Sequence, residues 1–160
     1  MIHAFHISNG KVSYLNRWMR TVKWKKEHEE QKALWSSGMD VMNNDPSVSN
    51  IETDGLANTA IVSHAGKIFA LEEAHAPFEF DQMTLESRGS YSFNNKLQGP
   101  VTAHPKIDPI TGELLFFGYM ADGFFSDTIR YTAVSKDGNI SKSELIKAWK
   151  KLMHLLNLIK

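Results

Sequence analysis

Ile2-His3-Ala4-Phe5-His6-Ile7, then Ser8-Asn9-Gly10, then Lys11-Val12-Ser13-Tyr14-Leu15-Asn16-Arg17-Trp18: two runs rich in β-branched and aromatic residues surround an Asn-Gly pair. Asn-Gly supplies the two positive φ angles of a type I′ turn, so this opening stretch predicts a β-hairpin. The same grammar returns further along. Residues 61–63 and 67–71 flank His64-Ala65-Gly66, and residues 78–80 and 85–93 flank Asp81-Gln82-Met83-Thr84. Residues 113–119 follow the turn Asp108-Pro109-Ile110-Thr111-Gly112, and residues 128–135 and 139–146 flank Lys136-Asp137-Gly138. Short strands joined by tight turns predict an all-β sandwich, barrel or propeller. A parallel α/β sheet is not expected, because the crossover helices are missing.

Two stretches break the pattern. In residues 21–35, seven Lys and Glu side chains surround Trp24, Leu34 and Trp35, and Thr21 is placed to cap a short amphipathic helix. Residues 36–55, rich in Ser, Asn, Asp and Gly, read as a long surface loop. The strands gather in groups of about four, and Gly10, Gly66, Gly112 and Gly138 close similar turns. A four-stranded propeller blade takes roughly 40 to 50 residues, so the 160 residues here predict about three blades. Three blades do not close a ring, and the expectation is a piece of something larger.

Composition narrows the function. Eighteen Lys+Arg balance eighteen Asp+Glu. A nucleic-acid clamp needs surplus positive charge to displace phosphate counterions, so no nucleic-acid partner is expected. Cysteine is absent, which removes disulfides, thiolate metal sites and cysteine nucleophiles. The amino terminus carries no secretory pattern, and no apolar run approaches the roughly 20 residues of a membrane helix. A soluble, cytoplasmic protein is expected.

Seven histidines without cysteine make imidazole the natural metal ligand. No His-Glu-x-x-His or His-x-His motif is present. His3 and His6, three apart on a strand, face opposite ways. His28 lies in the charged helix, His64 in a turn, and His75 follows Glu72-Glu73-Ala74 without completing a site. His104 differs: small residues precede it, and Pro105 confines its backbone to extended conformations. It is held rigidly at the end of a strand, and on the residues alone a structural role stands slightly ahead of a ligand role.

Thr102-Ala103-His104-Pro105-Lys106-Ile107-Asp108-Pro109 with Thr111-Gly112-Glu113 resembles the first iron-ligand segment of the carotenoid cleavage dioxygenases, which include stilbene-cleaving and retinoid-isomerising enzymes. Met1-Ile2-His3-Ala4-Phe5, Asn16-Arg17-Trp18-Met19-Arg20-Thr21, Gly55-Leu56-Ala57-Asn58-Thr59, Leu71-Glu72-Glu73 and Thr84-Leu85-Glu86-Ser87 resemble that family in the family's order. The resemblance implies a seven-bladed β-propeller with Fe(II) held by four histidines and steadied by carboxylates. It further implies use of O2 to split a C=C bond into two carbonyl products. By position, His104 is the first ligand and Glu73 a carboxylate that orients a ligating histidine. His154 is the candidate second ligand if one residue after Ala148 is deleted, although Leu155 and Leu156 stand where the family has Asp and Phe.

On this reading residues 1–147 are an incomplete all-β propeller domain with a short helix near residues 21–35, and residues 148–160 a divergent tail. Glu72 stands where stilbene-cleaving members carry a Lys that grips the phenol, which favours an apolar polyene, a carotenoid or apocarotenoid, as substrate. Uptake of such a substrate allows for peripheral membrane contact, and open blade edges allow for self-association. Two further readings remain: a truncated or split-gene product without catalysis of its own, and a small β-domain that binds an apolar ligand without iron.

Overall fold

The structure is a computed structural model in which residues 1–36, 43–123 and 126–147 are described. It opens on the expected hairpin, β1 (Ile2–Ser8) paired antiparallel with β2 (Lys11–Arg17). Asn9 and Gly10 adopt φ of 49° and 71°, the pair of positive angles the type I′ turn requires. Pairing of Ile2 with Arg17 and Ala4 with Leu15 puts Ile2, Ala4 and Leu15 on the face that packs into a core with Met19, Phe80 and Leu85. The opposite face carries Phe5, Ile7, Val12 and Tyr14, all more than half exposed.

The helix α1 spans Val22–Glu30. Thr21 caps it by accepting the Trp24 N–H at 3.2 Å. Lys26 with Glu30 (2.9 Å) and Lys23 with Glu27 (3.8 Å) add i,i+4 pairs along its surface. The helix ends sooner than the charge pattern predicts because Gln31 turns left-handed. Glu27 then accepts the N–H groups of Leu34 and Trp35, at 2.9 and 3.1 Å, anchoring the return segment by a side chain instead of by helix. Among the described residues of the expected loop, Pro46–Val48 forms one 3-10 turn, capped by Asp45.

Two four-stranded antiparallel meanders follow. The first is β3 (Ala60–His64), β4 (Lys67–Leu71), β5 (Phe78–Phe80) and β6 (Ser87–Ser90). The second is β7 (Lys106–Ile107), β8 (Leu114–Tyr119), β9 (Thr128–Val134) and β10 (Ile140–Lys147). Each strand pairs with its sequence neighbour, the pattern of a propeller blade. β6 is shorter than residues 85–93 because Leu85 (φ 57°) and Phe93 (φ 51°) both leave the extended region.

The meanders pack on each other through Phe93, Val101, Leu114, Phe116 and Val134, with Val62 and Tyr91 against them. Phe69, Tyr91, Phe93 and Phe116 form a chain of aromatic contacts with centroid separations of 4.9 to 6.2 Å. At the turn end His64, only 7% exposed, donates from Nε2 to the Ser135 carbonyl at 2.8 Å, pinning the β3–β4 hairpin to the β9–β10 hairpin. Residues 148–160, including the expected tail and His154, lie outside the described residues.

Candidate functional site

His104 sits two residues before β7, on a segment held from both sides. The Thr102 N–H donates to the Phe117 carbonyl on β8 at 2.8 Å, and the Val101 N–H donates to the His75 carbonyl at 3.1 Å. The approach to β8 is close enough that only glycine fits at position 118, where an added Cβ would stand 1.9 Å from the Pro100 carbonyl oxygen. Val101, Thr102 and Ala103 are buried, whereas the His104 side chain is 67% exposed. A buried, hydrogen-bonded base thus carries an accessible imidazole.

Glu73 comes from the connection between β4 and β5 and meets it. Its Oε1 lies 3.1 Å from Nε2 of His104. Its Oε2 accepts from the Tyr119 hydroxyl at 2.6 Å and from the Thr102 hydroxyl at 3.2 Å. Thr102 Oγ1 accepts in turn from the His104 backbone N–H at 3.2 Å. Burial and the Glu73 carboxylate both push the Tyr119 phenol above its ordinary pKa, so the hydroxyl keeps its proton and donates.

A second His–carboxylate pair lies alongside, which sequence reasoning left without a partner. Glu72 Oε1 accepts from His75 Nδ1 and from the Ala74 N–H, and His75 Nε2 lies 3.1 Å from the Thr53 hydroxyl. The bond to Glu72 raises the His75 pKa against the opposing effect of burial, with Asp54 and Glu52 adding to the rise. Burial pushes Glu72 upward, but His75 and the backbone N–H groups outweigh it and hold the carboxyl below its usual range. Gly55 makes room for the pair, since a Cβ there would come within 2.9 Å of both side chains. Glu72 is therefore committed to holding its own loop.

The other described histidines are spoken for or apart. His3 bonds the Tyr14 hydroxyl, His28 stacks on Trp24 with centroids 4.6 Å apart, and His64 is the interior pin. His6 pairs across the hairpin with Ser13 and, by strand alternation, faces away from His3.

An imidazole backed by a carboxylate suits a divalent iron in kind, since the carboxylate orients the ring and raises its basicity. In number the donors fall short: among the described residues no group of three or more His, Asp or Glu side chains is placed to hold a metal. His104 and Glu73 bring together one imidazole and one carboxylate.

The family model described as RPE65, retinal pigment epithelial membrane protein, matches residues 1–155. The chain belongs to this family. Among RPE65-family relatives, isoeugenol monooxygenase of Pseudomonas nitroreducens is 37% identical, over 88% of this chain and 30% of that protein. Carotenoid 9,10(9′,10′)-cleavage dioxygenase 1 of Arabidopsis thaliana is 32% identical, over 86% of this chain and 28% of its own length. The crystal structure of Pseudomonas brassicacearum lignostilbene dioxygenase superposes with a TM-score of 0.84 at 33% identity, covering 91% of this chain and 30% of that one. The chain spans about 30% of the length of the RPE65-family relatives it matches, so its two meanders are part of the family's propeller.

Proposed function

We propose that the chain contributes the His104–Glu73 corner of an oxygenase site that cleaves a conjugated C=C bond with O2. Both oxygen atoms balance as two carbonyls, R–CH=CH–R′ + O2 giving R–CHO and R′–CHO. The observation that carries this is the placement of Glu73 Oε1 3.1 Å from the exposed imidazole of His104, within the fold of a family whose named members are oxygenases. Fe(II), once bound with ligands from outside the described residues, His154 among the candidates, supplies the activation of O2. His104 would offer one imidazole to it, Glu73 would set the angle of that ring, and the buried Val101–Ala103 base holds the backbone that carries it.

The substrate we favour is an apolar polyene of the carotenoid or apocarotenoid kind. Position 72 offers a carboxylate already bonded to His75 and Ala74, which leaves no donor there for a phenol oxygen. Greater identity to isoeugenol monooxygenase than to the Arabidopsis carotenoid enzyme favours a second reading, a phenylpropenoid or stilbene alkene. The outward face of Phe5, Ile7, Val12 and Tyr14 supports association, with a second copy or a complementary polypeptide.

The test grafts residues 1–147 in place of the corresponding part of the P. brassicacearum lignostilbene dioxygenase, alongside the 160-residue chain alone. The graft is expected to hold iron and release aldehydes from a panel of β-apocarotenal, lignostilbene and isoeugenol. In the graft, His104→Ala is expected to lose both iron and products. The chain alone is expected to hold well under one iron and to release none. Full iron and turnover in the His104→Ala graft would remove His104 from the site, and a graft that cleaves only the phenolic substrates would overturn the polyene reading.

A further inference from the structure

Glu73 is the only carboxylate against His104 among the described residues, and its second oxygen is held by groups other than the imidazole. Both bonds to Oε2 come from hydroxyls elsewhere: Tyr119 at the end of β8, 2.6 Å away, and Thr102, 3.2 Å away. Thr102 is fully buried and tied by its own backbone N–H to the Phe117 carbonyl, so its hydroxyl has little freedom. Tyr119 is fixed in the pairing of β8 with β9, where it lies opposite Ile129. Two hydroxyl donors on rigid backbone thus converge on one oxygen, which leaves the other oxygen facing the imidazole.

We infer that Tyr119 is a positioning residue: with Thr102 it presets the Glu73 carboxylate so that Oε1 orients the His104 ring, whether or not a metal is present. This rests on the reading of His104 as a metal-facing imidazole. The shorter of the two bonds belongs to Tyr119, and removing its oxygen leaves the carboxylate tethered by Thr102 alone. A carboxylate free to rotate no longer selects one orientation of the ring. The inference reaches no further than orientation: Tyr119 acts through Glu73.

The experiment uses the full 160-residue chain, labelled with 15N, and follows the His104 ring nitrogens by long-range 1H–15N correlation where the ring is neutral. Cobalt(II) alone serves as the metal probe, read from broadening of the same resonances. Tyr119→Phe is expected to shift the ring nitrogens toward a mixed tautomer population and to weaken the cobalt response about 10-fold, the low end for groups that orient a ligand. Thr102→Ser, which keeps the hydroxyl, is expected to match the unsubstituted chain, whereas Thr102→Val follows Tyr119→Phe. Backbone amide spectra that superpose on those of the unsubstituted chain separate these effects from unfolding. Ring resonances and cobalt response unchanged in both Tyr119→Phe and Thr102→Val would overturn the inference. Cobalt that broadens other resonances and spares His104 would instead overturn the ligand reading, leaving the hydroxyl tether to be judged by the tautomer shift alone.

Discussion

Glu73 and His104 arrive from different meanders, one from the β4–β5 connection and one from the segment before β7, and their side chains meet at 3.1 Å. The contact crosses the seam that Phe93, Val101, Leu114, Phe116 and Val134 pack shut. Its geometry therefore depends on the packing of two sheets and not on either alone.

Removing the carboxylate strands two donors. Glu73→Ala leaves the hydroxyls of Thr102 and Tyr119 without their acceptor, at a cost of about 1–3 kcal/mol. Glu73→Gln keeps an acceptor oxygen and is expected to cost less. Urea denaturation followed by tryptophan fluorescence checks the order, and equal losses for the two variants would contradict it.

The close passage at Gly118 makes a sharper prediction. Gly118→Ala drives a Cβ into the Pro100 carbonyl, a collision with backbone that no rotamer relieves. The expected loss is about 3 kcal/mol, at the upper end for overpacking, with displacement of the segment that carries His104. Gly10→Ala meets nothing within 4 Å and is strained only by its φ of 71°. It should be the milder change in thermal melts, and the reverse order would show that Pro100 yields.

At the seam's turn end, His64→Ala removes the bond to the Ser135 carbonyl from a nearly buried position. A loss of about 1–3 kcal/mol is expected. Hydrogen exchange should show faster amides in both the β3–β4 and the β9–β10 hairpins. Loss of protection in one hairpin only would mean that the bond does not couple the sheets.

The Glu72–His75 pair gives a pH window. His75 has a raised folded pKa, so its contribution is complete below the unfolded value of 6.5 and is lost as pH rises through the folded value. Glu72 has a lowered folded pKa, so its contribution is complete above the unfolded value of 4.5 and is lost as pH falls through the folded value. The stability difference between the unsubstituted chain and His75→Gln should be greatest between those two values and should shrink on either side. A difference independent of pH would show that packing, not charge, sets the role of His75.

Much of the fold is legible because the turns announce themselves. Asn9-Gly10, Ala65-Gly66 and the Asp137-Gly138 turn each close a hairpin where the residue pattern places one. What escapes is what the third dimension decides. β7 has two residues, too few to show alternation, and exists because it pairs with Leu114 and Leu115. β6 is trimmed by left-handed backbone at Leu85 and Phe93, residue types that carry no such signal. In the site, Pro105 and the family resemblance mark His104, and the resemblance marks Glu73 as a partner of some histidine, but that the two meet is decided by the fold. Tyr119 is invisible beforehand, because a tyrosine closing an apolar strand reads as packing until its hydroxyl is seen on Glu73. His75 likewise hides its partner, three positions back, because a tight connection rather than a helix brings them together.

The sequential order of strands within each meander bears on how the site comes into being. Every ladder joins strands adjacent in the chain, so each sheet closes through short loops and is able to assemble as soon as its own residues are available. The carboxylate belongs to the earlier sheet and the imidazole leads into the later one, so their meeting awaits the docking of two finished units. The imidazole meets its carboxylate only when both blades have formed and seated correctly, which makes the geometry of the His104–Glu73 pair a readout of completed assembly.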